Sequence, residues 1–224
     1  MDDLARYLEP TWFLDSDAPA LREFAERSVA AAPAGDVERA VALYYAVRDG
    51  IRYDPYAMST EAELYRASTV AKLPAAYCIQ KAVLYGAAAR AIGVPSRLGF
   101  ADVRNHLTSR KLHEVMGSDL FVYHGFTEVH LEGRWVKATP AFNLGLCERF
   151  GVLPLEFDGR HDSIFHPFDA ANRKHMEYVR ERGSFVDLPF AEIMGAFRSE
   201  YPALFGRMSD ETIQDEMFRP TRDA

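Results

Sequence analysis

The stretch from Leu73 to Phe100 (L-P-A-A-Y-C-I-Q-K-A-V-L-Y-G-A-A-A-R-A-I-G-V-P-S-R-L-G-F) reads as a loop, a single Cys, a helix, a turn and a strand. Pro74 closes the segment before it. From Cys78 onward Ile79, Val83, Leu84, Ala87, Ala88 and Ala91 recur at helical spacing, and further alanines fill the other face. A helix apolar on every side belongs in a protein interior. Gly93 is placed to cap its C-terminus, and Pro95 forbids its continuation. Cys78 therefore heads a buried helix. There the unpaired N–H groups and the helix dipole favour a thiolate, and the same N–H groups could hold an oxyanion. A buried Cys is otherwise only a small hydrophobe, so the rest of the chain decides its role.

Upstream, residues 4–15 alternate weakly and predict a peripheral strand. Pro19–Ala31 predicts a helix. Asp36 is placed to cap a second helix, whose apolar stripe runs through Val37, Ala40, Val41, Tyr44 and Val47 toward Gly50. Ile51–Tyr56 is extended and then turns, because Asp54 precedes Pro55. Thr60 with Glu63 resembles the start of a short helix ending near Ser68. After Gly93 the period changes from 3.6 to 2. Ser96–Val103 and Asp119–Glu132 predict strands, Gly133-Arg134 a two-residue turn, and Trp135–Thr139 the return strand. His124 is thereby set on a strand of an antiparallel hairpin. Beyond Pro140, Val152–Phe157 predicts a strand, Ala170–Arg182 a helix stopped by Gly183, and Phe190–Ser199 another helix. From Gly206 a charged tail carries one short helix around Glu211–Phe218. Helices first and strands afterwards give an α+β domain, spanning residues 1–205 with 206–224 as the tail.

With 48% hydrophobic and 12% aromatic residues the chain can bury a full-sized core. A net charge of −7 and a pI near 5.5 argue against nucleic acid or an anionic membrane as partner. Cys78 and Cys147 form neither a disulfide framework nor a zinc spacing, which fits a reducing compartment, with Cys147 structural. The opening M-D-D-L-A-R-Y-L-E-P has no secretory pattern, and no apolar run spans a bilayer. The expectation is a soluble cytoplasmic protein.

A Cys at a helix start and a His on a later strand form the pattern of a thiol nucleophile with its base, since the two need only meet in space. The residues around both carry a resemblance. C-I-Q-K-A-V-L-Y-G-A-A-A-R-A-I-G-V-P-S-R-L, followed by H-G-F-T-E-V-H-L-E-G-R-W-V-K-A-T-P, resembles the transglutaminase-like superfamily, particularly its bacterial members, as does the lead-in V-R-D-G-I-R-Y-D-P. The resemblance covers roughly residues 40–145. It implies a papain-like core, with the Cys-headed helix packed on an antiparallel sheet. It also implies Cys78 as nucleophile, His124 as general base, and Thr139 at the position of the third member. The family usually has Asp there. A Thr can offer a hydrogen bond but no charge, although related thiol enzymes use a neutral Asn. Asn143, Glu128 and Asp102 are other sources of that contact. A second departure is Ala76, where the family often has Gly two residues before the Cys.

The reaction so implied is acyl transfer through a Cys78 thioester. Water as acceptor gives a protease or amidase, and an amine gives a transglutaminase-type transfer. Peptide, protein or small acyl substrates all fit. Two rivals stand beside it: a catalytically silent binding module that keeps the fold, and a small-molecule acyltransferase. The latter predicts a narrow apolar pocket above Cys78 in place of an open peptide groove. Tyr77, Asp102, Asn105, His106 and Trp135 are the candidate substrate contacts, against ordinary loop solvation and core packing as their other roles. Arg90 and Arg97 are expected to bridge surface carboxylates. His161, Asp162 and His166 lack metal-ligand spacing, and no D-x-D-x-D-G loop is present, so neither metal nor organic cofactor is expected.

Overall fold

The computed structural model describes residues 4–106, 114, 116–164 and 176–208. A 3-10 turn (Leu4–Tyr7) leads into helices α1 (Pro19–Val29) and α2 (Asp36–Gly50) and a two-residue strand β1 (Arg52–Tyr53). A second 3-10 turn (Ala62–Tyr65), the one-turn helix α3 (Ala67–Val70) and strand β2 (Ala75–Ala76) precede helix α4 (Cys78–Ala91). Strands β3 (Ser96–Asn105), β4 (Leu120–Leu131) and β5 (Arg134–Ala138) follow. Then come α5 (Leu144–Phe150), β6 (Met176–Phe185), α6 (Phe190–Glu200) and α7 (Pro202–Met208).

Helix α4 is the axis, as its composition dictates. Every residue from Cys78 to Arg90 is buried, with α1, α2 and α3 packed around it and β4 against it. Its end is a Schellman motif: Gly93, at φ +85°, donates to the Arg90 carbonyl, and Val94 donates to that of Ala89. Three polar side chains of α4 are buried because backbone carbonyls wait for them. Lys81 Nζ donates to Arg48 O (2.8 Å) and Ile51 O (2.6 Å), satisfying the C-terminal end of α2. Burial pushes its pKa down to about 7. Arg90 donates to Glu9 O, Ser96 O and Val186 O. It is an internal clamp, not the surface bridge expected, and Arg97 pairs directly across β3 and β4 with Glu128, a buried carboxylate and not a surface one. Gln80 belongs to the site.

The sheet has the order β5-β4-β3-β6, antiparallel throughout. Thr127 Oγ1 donates to Ala82 O (2.8 Å) and Ser96 Oγ to Gly86 O (2.7 Å), stitching the sheet to α4. The mixed architecture with an antiparallel sheet on a Cys-headed helix is the papain-like transglutaminase core expected. Cys147, on α5, is buried as expected. No helix among the described residues is long and apolar enough to cross a membrane.

Several local expectations are corrected. Residues 4–15 form a 3-10 turn and bends, not a strand. Gly35, not Asp36, is the N-cap of α2. The β4–β5 turn is Glu132-Gly133 (φ +48° and +83°), because Leu131 pairs with Arg134. Residues 152–157 are irregular. The largest correction is Met176–Phe185, a strand where a helix was expected; positions 170–175 lie outside the described residues. Residues 202–208 are helical, and the helix expected at 211–218 lies outside the described residues.

Candidate active site

Cys78 is the first residue of α4, and its entry is fixed by Gln80. The Gln80 Oε1 accepts the Tyr77 N–H (3.1 Å), and its Nε2 donates to Leu64 O (3.0 Å). This is the reach-back half of a capping box. The parallel pairing of β1 with β2, Tyr53 against Ala76, brings Tyr53 beside the Cys. The thiol is 8% exposed. Burial pushes its pKa up to about 11, outweighing the backbone N–H groups of Gly125, Ile79 and Cys78 itself, which pull it down. The helix terminus acts in the direction expected, but desolvation is larger.

His124 is 4% exposed on β4, and the strand is deformed just before it. Ala101 pairs with His124 and Val103 with Phe121, so Asp102 alone faces both Val122 and Tyr123. This is a β-bulge, with Tyr123 in the left-handed region (φ +54°). Side chains replace the missing ladder bonds. Asp102 Oδ1 accepts the Tyr123 N–H (3.1 Å), and Tyr201 Oη accepts that of Val122 (2.6 Å). Arg182 holds the Asp102 carboxylate from below (Nη2–Oδ2 2.8 Å), and its guanidinium lies 4.6 Å from the Tyr123 ring centre. The Tyr123 hydroxyl donates to Glu192.

The residue after His124 is a glycine with little room for a side chain. A Cβ on Gly125 would stand 3.0 Å from Ile79 Cα, so the backbone of β4 rests directly on the first turn of α4. Burial drives the His124 pKa down to about 3, with the Gly125 backbone acting in the other direction. At neutral pH the site thus holds a neutral thiol and a neutral imidazole.

Cys78 and His124 line one small pocket. Tyr53, Pro55, Met58 and Tyr77 form one side, Met116 and Phe121–Tyr123 another, and Phe197 with Tyr201 the far wall. Of the expected substrate contacts, only Tyr77 is in this lining. Asp102 is spent on the bulge. Asn105 ends β3, its N–H donating to Asp119 O, and His106 Nε2 lies 3.3 Å from Glu177 on the surface. Trp135 sits on β5 among Tyr7, His130 and Arg97, apart from the pocket. Thr139 is 1% exposed, and its hydroxyl has no hydrogen-bond partner among the described residues. The β4–β5 ladder ends at Thr127 and Ala138, so Thr139 directly follows the last paired residue of β5. Asn143 accepts the Tyr53 N–H (3.0 Å), and Glu128 holds Arg97 and Ser184.

Met58, Phe197, Tyr201, Arg182 and Glu192 escaped the sequence reading because nothing local marks them. Tyr53 was visible only as part of the lead-in segment. Among the described residues no group of three or more His, Cys, Asp or Glu could hold a metal ion. His161 pairs with Asp158 (2.7 Å), Asp162 accepts the Lys137 N–H (2.9 Å), and His166 lies outside the described residues.

Residues 22–140, more than half of the chain, match the profile of the Transglutaminase-like superfamily. No curated protein matches. A crystal structure from Cytophaga hutchinsonii, named "Putative Cysteine Protease", is similar at 16% identity with a TM-score of 0.48, over 82% of this chain and 54% of that one. The chain spans about half the length of that protein.

Proposed function

Because the chain belongs to the transglutaminase-like superfamily, we propose that it is a cysteine-dependent acyl-transfer enzyme with Cys78 as nucleophile and His124 as its base. The observation that carries this reading is the shared pocket: one thiol and one imidazole line the same cavity at the start of a buried helix. Cys78 Sγ attacks the carbonyl while His124 takes the thiol proton. The developing oxyanion lies at the Cys78 N–H, and His124 then returns the proton to the leaving group. Attack by water or an amine on the thioester frees the enzyme. With both groups neutral at rest, proton transfer accompanies attack; no preformed thiolate is needed.

The rival, a silent module that keeps the fold, is favoured by Thr139 and by the commitment of Asp102 and Glu128 to other partners. Alkylation of Cys78 by iodoacetamide separates the two, measured from pH 6 to 10 in a Cys147→Ser background. A thiol that titrates near 11 unaided reacts slowly at neutral pH. The enzyme reading expects His124→Ala to slow alkylation at pH 7.5 at least tenfold. A rate indifferent to His124 rejects it.

A further inference from the structure

The pocket above Cys78 offers a substrate almost no hydrogen bonds. Of its four tyrosines, three already spend their hydroxyls inside the protein: Tyr77 on Tyr65 Oη (2.8 Å), Tyr201 on Leu120 O (2.7 Å) and Tyr123 on Glu192, which leaves only the Tyr53 hydroxyl without a partner among the described residues. What they turn to the cavity is ring. Met58, Phe121 and Phe197 complete an apolar wall. A glutamine side chain carries two donors and an acceptor, and a peptide bond one of each. Buried here without partners, those groups would be penalised, whereas hydrocarbon would not. The space itself is small, so it suits a compact group and not an extended chain.

We propose, on the Cys78–His124 reading above, that this site accepts a small apolar acyl group delivered as a thioester. Cys78 Sγ adds to the thioester carbonyl, and the bond from that carbon to the carrier sulfur breaks. The thiol proton passes through His124 to the departing thiolate. One thioester is exchanged for another, with no oxidation or reduction, and the acyl group rests in the pocket until water or an amine removes it. The neutral resting pair suits this donor. A leaving thiolate needs little help from an acid, while an amide nitrogen must be protonated as it departs.

The test is acylation of the full chain by N-acetylcysteamine thioesters of acetate, butyrate, hexanoate and phenylacetate, alongside a benzyloxycarbonyl-Gln-Gly peptide, followed by intact mass. Butyryl should load Cys78 at least tenfold faster than acetyl and faster than hexanoyl or phenylacetyl, with no loading of Cys78→Ala and none from the peptide. In Met58→Gln and Phe121→Asn, both at partly exposed positions, the preference over acetyl should fall about tenfold. Acetyl, hexanoyl or phenylacetyl loading as fast as butyryl, loading by the peptide, or no loading by any thioester overturns the proposal. If His124-dependent alkylation persists in that event, only the substrate class has failed; if it is absent too, the acyl-transfer reading has failed first.

Discussion

Asp102 is the residue whose removal tests the geometry of the site most directly, because it touches neither Cys78 nor substrate. Its carboxylate accepts the Tyr123 N–H at 3.1 Å and holds the Arg182 Nε and Nη2, with Asp102 6% and Arg182 19% exposed as side chains. Breaking a fully buried ion pair from one side costs about 3–5 kcal/mol. Arg182 is close enough to solvent to rehydrate in part and keeps its place over the Tyr123 ring, which brings the charge component to about 2 kcal/mol. The orphaned Tyr123 N–H adds about 1 kcal/mol. Asp102→Ala should therefore lose about 3 kcal/mol, or about 6–12 °C in Tm for a chain of this size. Asp102→Asn keeps an acceptor for the N–H and should lose about 2 kcal/mol. Urea denaturation reads these values. The second readout is specific to positioning: with the bulge released, alkylation of Cys78 should lose its dependence on His124 in Asp102→Ala and retain most of it in Asp102→Asn. A variant destabilised as calculated, yet with His124 dependence intact, would refute the link between bulge and base.

Gly125→Ala would drive a methyl group into the Ile79 backbone, costing about 1–3 kcal/mol and lowering His124-dependent alkylation at least tenfold; a rate within twofold of the parent would contradict the packing. Titration of His124 gives a pH-dependent stability. The unfolded chain takes this proton near pH 6.5 and the folded chain resists to about 3, so the contribution is complete above 6.5 and is lost as pH falls through that window. Between pH 7 and pH 4, urea denaturation should show the parent losing about 3 kcal/mol more than His124→Gln; equal slopes would contradict the burial. Thr139→Asp should raise the His124 pKa by at least one unit in an NMR titration and speed alkylation near neutrality, at some cost in stability. An unmoved His124 would place Thr139 out of its reach.

Elements whose sequence pattern is enforced by burial were legible before the structure. Helix α4 is buried on all sides, and its Gly93 and Pro95 stop signals act as their chemistry requires. Strands β4 and β5 show in their apolar and β-branched residues and in the glycine turn between them, although β4 is buried on both faces from Val122 to Val129 and the turn stands one residue earlier than its pattern suggests. Strand β6 was missed for the opposite reason. From Tyr178 to Glu181 its side chains are exposed, so neither a period of 2 nor of 3.6 is imposed on them, and Glu and Arg there read as helix formers. Its strand state comes from hydrogen bonds to β3, which leave no mark in sequence. At the site, Cys78 and His124 were legible as chemistry. Asp102 was noticed as polar but not as the acceptor for a bulge, because a bulge is a property of two strands at once.

The bulge clamp and the far wall of the pocket share an origin. Arg182, Glu192, Phe197 and Tyr201 all follow residue 140, where the match to the family ends. Cys78 and His124 thus lie in one part of the chain and much of the pocket wall beside them in another. Such a division lets natural variation, or an engineer, exchange the distal segment and reshape the pocket while the Cys78 and His124 pair is inherited intact. Chimeras joined near residue 140 would be the natural currency of divergence for this scaffold.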